Sequence, residues 1–302
     1  MVDLARRGAG PRPAAASQAA LGKTLVTIVT PSLNQGEFIR DTIESVLSQD
    51  YPALEYLIID GGSTDQTPKI AAQYAGRLTF LSAPDRGQSH AINKGFRMAR
   101  GTILAWLNSD DVYLPGAVTT AVNALTHNPQ AAAVYGEGYL IDRAGQSRRR
   151  FPATAPLNRY RLTHVEDYIL QQTVFIRRTA IDDIGYLDED LHYVMDWDLL
   201  IRIAKRYPIA YVPEYLACLR EYPEAKSARG GRARVAEIGR LMRRHTGRTM
   251  TPGYLIHALQ TYKQTWVRHL PHGRLEWAAT TAANLAIERI ERFARRRALN
   301  EK

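Results

Sequence analysis

Between residues 25 and 111 the chain repeats one unit: a short apolar run, a polar loop, then an amphipathic segment. The apolar runs at 25–29, 55–59, 78–81 and 102–107 have strand length and are bounded by turn residues. The segments between them place apolar side chains at helical spacing. Phe38, Ile39, Ile43, Val46 and Leu47 do so after the first run, and Ile92, Phe96 and Met98 after the third. Strand, loop and helix in regular alternation build a parallel sheet with helices on its faces. The expected fold class is therefore α/β, a Rossmann-type mixed sheet flanked by helices.

The polar residues are unevenly placed along these units. The strand-to-helix loops carry Ser32 and Asn34, Asp60 and Asp65, Asp85 and Arg86, and Asp110 and Asp111. The opposite junctions, Tyr51-Pro52-Ala53 and Ala99-Arg100-Gly101, have few distinctive polar groups. In an open α/β sheet the crevice outside the carboxyl ends of the strands is where ligands bind. The run Asn108-Ser109-Asp110-Asp111 ends the fourth apolar stretch. Two adjacent carboxylates are costly there unless something positive accompanies them. A hard divalent cation with a phosphate ligand answers that need; a solvated turn capping the helix near Pro115 answers it as well.

The other strand ends leave similar pairs of readings. Asp60 is placed to accept from a ribose hydroxyl or a base N–H, or to close an Asx turn in Asp-Gly-Gly-Ser. Arg86 and Lys94 bring positive charge to this edge. Gln88, Ser89 and Asn93 either bond a ligand or belong to an ordinary solvated helix start. Farther on, Asp196 and Asp198 bracket Trp197 at the start of an amphipathic helix. One suits a general base acting on an acceptor hydroxyl; both also suit the free N–H groups of a helix N-terminus. The nucleotide-binding signatures Gly-x-Gly-x-x-Gly and Gly-x-x-x-x-Gly-Lys-Ser/Thr are absent from the first loop.

The remainder is less regular. A helix is expected over 117–125, a strand over 132–134, and a β-hairpin over 138–150 that ends in the basic run Arg148-Arg149-Arg150. Further strands are expected over 171–176, 209–212 and 216–220, a short helix and turn over 181–187, and a mobile polar loop over 224–231. Helices are expected over 233–245, 254–269 and 275–299. The resulting division is a disordered arm over 1–22, a catalytic domain over 23–222, and a loop with a basic helical extension over 223–302. The 302-residue chain has a formal net charge of +10, which favours anionic partners. One cysteine, Cys218, excludes an intrachain disulfide and fits a reducing compartment. No stretch has the apolar length of a membrane span, and no signal peptide is expected.

Four motifs in order give the chain a family likeness. They are Thr27-Ile-Val-Thr-Pro31-Ser32-Leu-Asn34; Ile58-Ile-Asp60-Gly-Gly-Ser-Thr-Asp65; Asp85-Arg86-Gly-Gln88-Ser89 with Asn93-Lys94-Gly95; and Trp106-Leu-Asn108-Ser109-Asp110-Asp111. Together they strongly resemble the catalytic domain of glycosyltransferase family 2, over roughly residues 25–220. The resemblance implies a GT-A fold, a nucleoside-diphosphate sugar as donor, and inverting transfer of the sugar. It implies that Asp60 recognises the base and that Asp110 binds Mg²⁺ or Mn²⁺ with Asp111 beside it. Asn108 would lie near the ribose, and Asp196 would be the catalytic base. The expected donor site also takes in Pro31, Ser32, Asn34, Arg86, Gln88, Asn93, Lys94 and Ser109. Arg220 and Lys226 are expected to close over the diphosphate from the polar loop.

The pattern also departs from the family. Asn108 replaces the first Asp of Asp-x-Asp, Met195 precedes the base where Glu is usual, and His90 stands where Asp is frequent. The Gln-x-x-Arg-Trp motif of processive synthases is missing, which favours transfer of a single sugar. The acceptor is expected to be a glycan or a lipid-linked glycan. The basic C-terminal helices, with Trp266, Leu270, Trp277 and Phe293 among their arginines, either touch an anionic membrane or pack on the catalytic domain. The expected location is cytoplasmic, with peripheral contact on the inner face of the membrane. A nucleotidyltransferase acting on sugar phosphates is the alternative enzyme, though its Gly- and Arg/Lys-rich first loop is absent. A nucleic-acid-binding protein is the non-enzymatic alternative; the basic residues lie mostly in the tail and no such binding module is present, so no nucleic-acid partner is expected.

Overall fold

The computed structural model describes residues 24–152, 154–265, 267 and 273–300. The expected N-terminal arm, Trp266 and Leu270 lie outside the described residues.

Nine strands form one mixed sheet. β1 (Val26–Ser32), β2 (Leu54–Asp60), β3 (Thr79–Ser82) and β4 (Ile103–Trp106) are parallel, in the order β3-β2-β1-β4. The sheet continues antiparallel through β8 (Phe175–Arg177) to β6 (Ala133–Ile141). It ends with β9 (Ile209–Arg220), parallel to β6, and the two-residue β5 (Val112–Tyr113). β7 (Arg148–Arg150) closes the expected hairpin on β6.

Both faces of the parallel half are buried, so alternate residues of each strand enter different cores. Val26, Ile28, Tyr56, Ile58, Ile103 and Ala105 pack on one side. They meet α1 (Ile39–Leu47) and α4 (Ala117–His127), whose buried positions recur every three or four residues. Val29, Leu57, Ile59, Leu104 and Trp106 face the other core. That side is covered by α3 (Gln88–Met98) and α7 (Met195–Arg206). Gly95 is what allows α3 to lie so close to β1: a Cβ there would fall 2.4 Å from Val29 Cγ1. The smaller helices are α2 (Thr67–Ala72), α5 (Arg159–His164) and α6 (Arg178–Ile184).

Several local expectations change. Residues 209–220 form one strand, with an irregular register opposite Tyr135, Glu137 and Gly138 in place of a break. Residues 171–173 turn as a 3₁₀ helix before the short β8. The polar segment expected to be a loop contains a helical turn, α8 (Lys226–Arg229).

The C-terminal helices are α9 (Gly231–Thr246), α10 (Pro252–Thr265) and α11 (Arg274–Asn300). α9 is built into the main core through Ile238, Leu241 and Met242. α11 docks on α5 through Ala294 and Ala298, beside Tyr160, Val165 and Ile256. No helix among the described residues is long and apolar enough to cross a membrane.

Candidate active site

Ser32, Asp60 and Ser82 are register partners at the carboxyl ends of β1, β2 and β3, so the loops that follow emerge side by side. The first two loops are stapled together. Asn34, in the left-handed region at φ 52°, accepts from the Thr64 N–H at 2.9 Å, and its own N–H donates to Ser63 Oγ at 2.7 Å. Asp65 accepts from the N–H groups of Gly36 and Thr67 at 2.7 and 2.9 Å. Asn34 thus shapes the loop, and its amide oxygen is spent on that task.

Asp60 is 1% exposed. Its Oδ2 accepts from the N–H of Gly62, the N–H of Ser63 and Ser82 Oγ, and its Oδ1 accepts from Ser63 Oγ. Three of these donors crowd Oδ2 and one sits on Oδ1, so the Asx-turn reading describes how Asp60 is held at the strand end.

At the end of β4 the four polar residues divide. Asp111 is completely buried: Oδ1 accepts from the Arg220 N–H at 2.9 Å, and Oδ2 accepts from Gln172 Nε2 at 2.6 Å and Asn108 Nδ2 at 3.0 Å. Burial, with the neighbouring charge of Asp110, pushes it up to about 8 against those three donors. Both oxygens of Asp111, expected beside the metal, are held by partners inside the protein. Ser109 is also buried. Asp110 is half-buried. Its Oδ2 accepts from the Tyr222 hydroxyl at 2.8 Å, its other oxygen has no side-chain partner, and burial raises its carboxyl.

A relay of side chains links this strand end to α8. Lys226 Nζ donates to Gln88 Oε1 at 2.7 Å, Gln88 Nε2 donates to Asn108 Oδ1 at 2.7 Å, and Asn108 turns its amide nitrogen to Asp111. Burial lowers Lys226 to about 8, opposed by the charges of Asp196 and Glu237. Lys226 therefore links the β4 end, through Gln88, to the start of α7, through the charge of Asp196.

The start of α7 is held from α9: Glu237 accepts from the N–H of His192 and of Tyr193, the latter at 2.7 Å. Asp196 follows in the first turn of α7. Its Oδ1 accepts from the Trp197 N–H at 2.9 Å and its Oδ2 has no side-chain partner. Burial raises its carboxyl, offset by that N–H and the charges of Arg234 and Lys226. Asp167 feels the same electrostatic field: burial and then the charge of Asp196 raise it well above the carboxylate range. Asp198 is of another kind. It is buried, and it accepts from Arg202 Nε at 2.7 Å while His245 Nε2 lies 2.8 Å and Arg244 Nη1 3.3 Å away.

The other expected site residues are placed as follows. Arg220 is buried and its guanidinium is committed to the backbone oxygens of Asp110 and Arg143 and to the Asp41 carboxylate. Arg220, expected over the diphosphate, clamps the hairpin, α1 and the β4 loop together. Asn93 is buried and bonds both the carbonyl and the N–H of Leu187, tying α3 to the loop before α7. Arg86 is exposed and paired with Glu189 at 2.5 Å. Lys94 is half-buried on α3. Pro31 and Ser32 are buried in the last two positions of β1, where Ser32 Oγ has no hydrogen-bond partner. The sequence reading did not assign Tyr222, Gln172 or Asp167. Gln171-Gln172-Thr173 is a polar triplet expected inside a strand, and that conflict was the available signal for Gln172.

The side chains fit a divalent cation of a particular kind. Among the described residues no group of three or more His, Cys, Asp or Glu converges on a metal position. One carboxylate, Asp110, keeps an oxygen without a side-chain partner in a setting that disfavours an uncompensated negative charge. Such a site suits Mg²⁺ or Mn²⁺ held by one carboxylate, water and the phosphates of a substrate.

The model of "Glycosyl transferase family 2" matches residues 27–185. An uncharacterized glycosyltransferase of Rickettsia prowazekii is 29% identical over 200 residues, covering 64% of this chain and 62% of that protein. The chain thus spans less than two thirds of that relative, and only 35% of a Rickettsia felis one. S. aureus TarS 1-349 in complex with UDP-GlcNAc superposes with a TM-score of 0.58 at 14% identity, covering 90% of this chain and 92% of that one. The mannosyltransferase PcManGT from Pyrobaculum calidifontis, in complex with GDP-Man and Mn²⁺, gives 0.54 at 19% identity, covering 87% and 76%. At these identities the two structures establish the shared GT-A-like fold.

Proposed function

The chain belongs to glycosyl transferase family 2, and we propose from this that it transfers one sugar from a nucleoside-diphosphate sugar to a hydroxyl of a glycan or lipid-linked acceptor, with inversion. The observation that carries the reading is the Asn108–Gln88–Lys226 relay, which begins two residues from Asp110 and ends on a cation that feels the charge of Asp196. A cation and amide groups of this kind suit a diphosphate. The unpartnered oxygen of Asp196 is suited to an acceptor hydroxyl.

In the proposed reaction the acceptor oxygen attacks the anomeric carbon as the bond from that carbon to the diphosphate oxygen breaks. The acceptor proton passes to Asp196, and the nucleoside diphosphate leaves with the bonding electron pair. Lys226 faces the departing charge, and Asp110 would hold the divalent cation. Such a cation, when bound, neutralises charge on the leaving diphosphate. Tyr222 covers the Asp110 carboxylate and is the group that gives way as the donor enters.

A panel of nucleotide sugars, read by product analysis, tests this. Release of nucleoside diphosphate with an inverted glycoside is expected, whereas pyrophosphate release would point to the nucleotidyltransferase alternative. With a chelator, release is expected to stop and to return with Mg²⁺ or Mn²⁺. Undiminished turnover in the chelator would remove the cation from the reading.

A peripheral membrane contact is a second, separate proposal, favoured by the outer face of α11. Leu275, Trp277, Leu285 and Phe293 are exposed there, Trp277 by 71%, and Arg289, Arg292 and Arg296 lie among them. Apolar residues mixed with arginine suit an anionic lipid surface. Sedimentation with phosphatidylglycerol vesicles is expected to carry down the full chain, and to carry down less of a Trp277→Ser, Phe293→Ser variant. Equal sedimentation of both would refute the contact.

A further inference from the structure

Asp60 is 1% exposed and turned into its own loop, yet a second, more open carboxylate stands at the end of β2. It belongs to Asp85, in the loop from β3 to α3. A Cβ added to Gly61 would lie 2.9 Å from Asp85 Oδ2 and 3.2 Å from its Cγ. The carboxylate therefore fills the space that a side chain at position 61 would occupy. Its Oδ1 accepts from the Gly87 N–H at 2.8 Å, and its Oδ2 makes no hydrogen bond. Gly87, at φ +116°, gives the backbone the conformation that both presents this N–H and starts α3. Asp85 is half-buried, so the free oxygen is fixed in direction and open to a ligand.

Its distance from Asp110 has a natural scale. β4 and β2 flank β1, so their ends are two strand spacings apart, about 10 Å. A ribose joins a base to a diphosphate over a span of that order, with the diphosphate near Asp110.

We propose that Asp85, seated against Gly61, reads the nucleobase of the donor and selects a base whose ring nitrogen carries a hydrogen, as in uracil or guanine. A fixed carboxylate oxygen accepts that N–H. It faces a lone pair on cytosine or adenine, where the corresponding ring nitrogen is itself an acceptor. Selection of this type is strong because a mismatched base leaves a partly buried charge without its donor. The inference rests on the nucleotide-sugar reading above.

Titration calorimetry with UDP, GDP, CDP and ADP on the full chain tests it. The wild type is expected to bind UDP or GDP more tightly than CDP and ADP. Asp85→Ala is expected to weaken the preferred diphosphate roughly ten- to hundredfold, with little change for the others. Asp85→Asn keeps an oxygen for the Gly87 N–H and replaces the free acceptor with a donor, so CDP is expected to gain on UDP. Gly61→Asp alone crowds two carboxylates and weakens binding, while Gly61→Asp with Asp85→Ala supplies the acceptor from the neighbouring strand end and restores the preference. Binding with an unchanged ranking in both Asp85 variants overturns the role of Asp85 and leaves the donor reading standing. Failure of the wild type to bind any of the four diphosphates overturns the donor reading and this inference with it.

Discussion

Asparagine in place of Asp196 is expected to reduce sugar transfer by roughly 10²–10⁴-fold, the range set by loss of a positioned general base. Folding and nucleotide binding should survive, for a reason visible in the contacts. The one backbone bond that Asp196 makes to its neighbour, from the Trp197 N–H to Oδ1, is one that an asparagine oxygen also accepts. The variant also removes a charge that burial disfavours, so the melting temperature should hold or rise. A variant that retains near-wild-type turnover would exclude Asp196 as the base.

The pH profile gives a second handle on the same residue. Burial raises the Asp196 carboxyl above its ordinary value, and a base works only when deprotonated. Activity in the wild type is therefore expected to fall with decreasing pH at a point above the usual carboxylate range. Asp167 is raised well above its ordinary value by burial and then by the charge of Asp196, so Asp196 ionises first and meets a neutral neighbour. Asp167→Asn should therefore leave the acid limb where it is, and a limb that moved to lower pH would show that Asp167 is charged beside Asp196.

The parallel half of the fold is readable because local and global demands agree there. Strands buried on both faces are mostly apolar, helices show one apolar face, and the loops fall where Gly, Asp and Asn permit turns. The antiparallel half is harder to read, since its strands are short and their pairing is set by distant partners. β5 has two residues and exists because β9 runs beside it. Pro213 looks like the end of a strand, yet β9 passes through it at an irregular register opposite β6.

The site shows the same division. Sequence order identifies the strand-end residues but cannot say which way each carboxylate turns. Asp110 and Asp111 are neighbours in the chain; one keeps an oxygen without a side-chain partner and the other is locked to Arg220, Gln172 and Asn108. Asp85 has no part legible in the sequence: the Asx turn that Asp60 makes is local, whereas the place of Asp85 depends on Gly61 across the sheet. Tyr222 went unassigned for a related reason: a tyrosine after a strand has no signature until its hydroxyl is seen on Asp110.

The largest effect on stability is expected two residues beyond Asp196. Asp198 is buried where α7 meets α9, and three basic groups depend on it: Arg202, Arg244 and His245. Burial alone would raise its carboxyl, but the hydrogen bond from His245 and the charge and hydrogen bond of Arg202 outweigh it and hold Asp198 at about 2. A carboxyl depressed from 3.8 to about 2 contributes stability that is present above pH 3.8 and is lost as pH falls toward 2. Asp198→Ala removes the acceptor and leaves the basic groups behind. His245 is 6% exposed and loses its carboxylate, while Arg202 keeps the backbone oxygens of Ile184, Gly185 and Tyr186. Breaking a buried pair on one side costs about 3–5 kcal/mol, and a drop in melting temperature on the order of 10 °C is expected. Acid unfolding discriminates this from a simple packing loss. The wild type should lose stability steeply between pH 4 and 2, where Asp198 takes up its proton, and the variant should show a shallower loss over that interval. Because α9 also holds the loop before Asp196 through Glu237, a loosened α9 should lower activity even at temperatures where the variant remains folded. A variant with the wild-type melting temperature and the wild-type acid limb would show that Asp198 is not the tie between these helices.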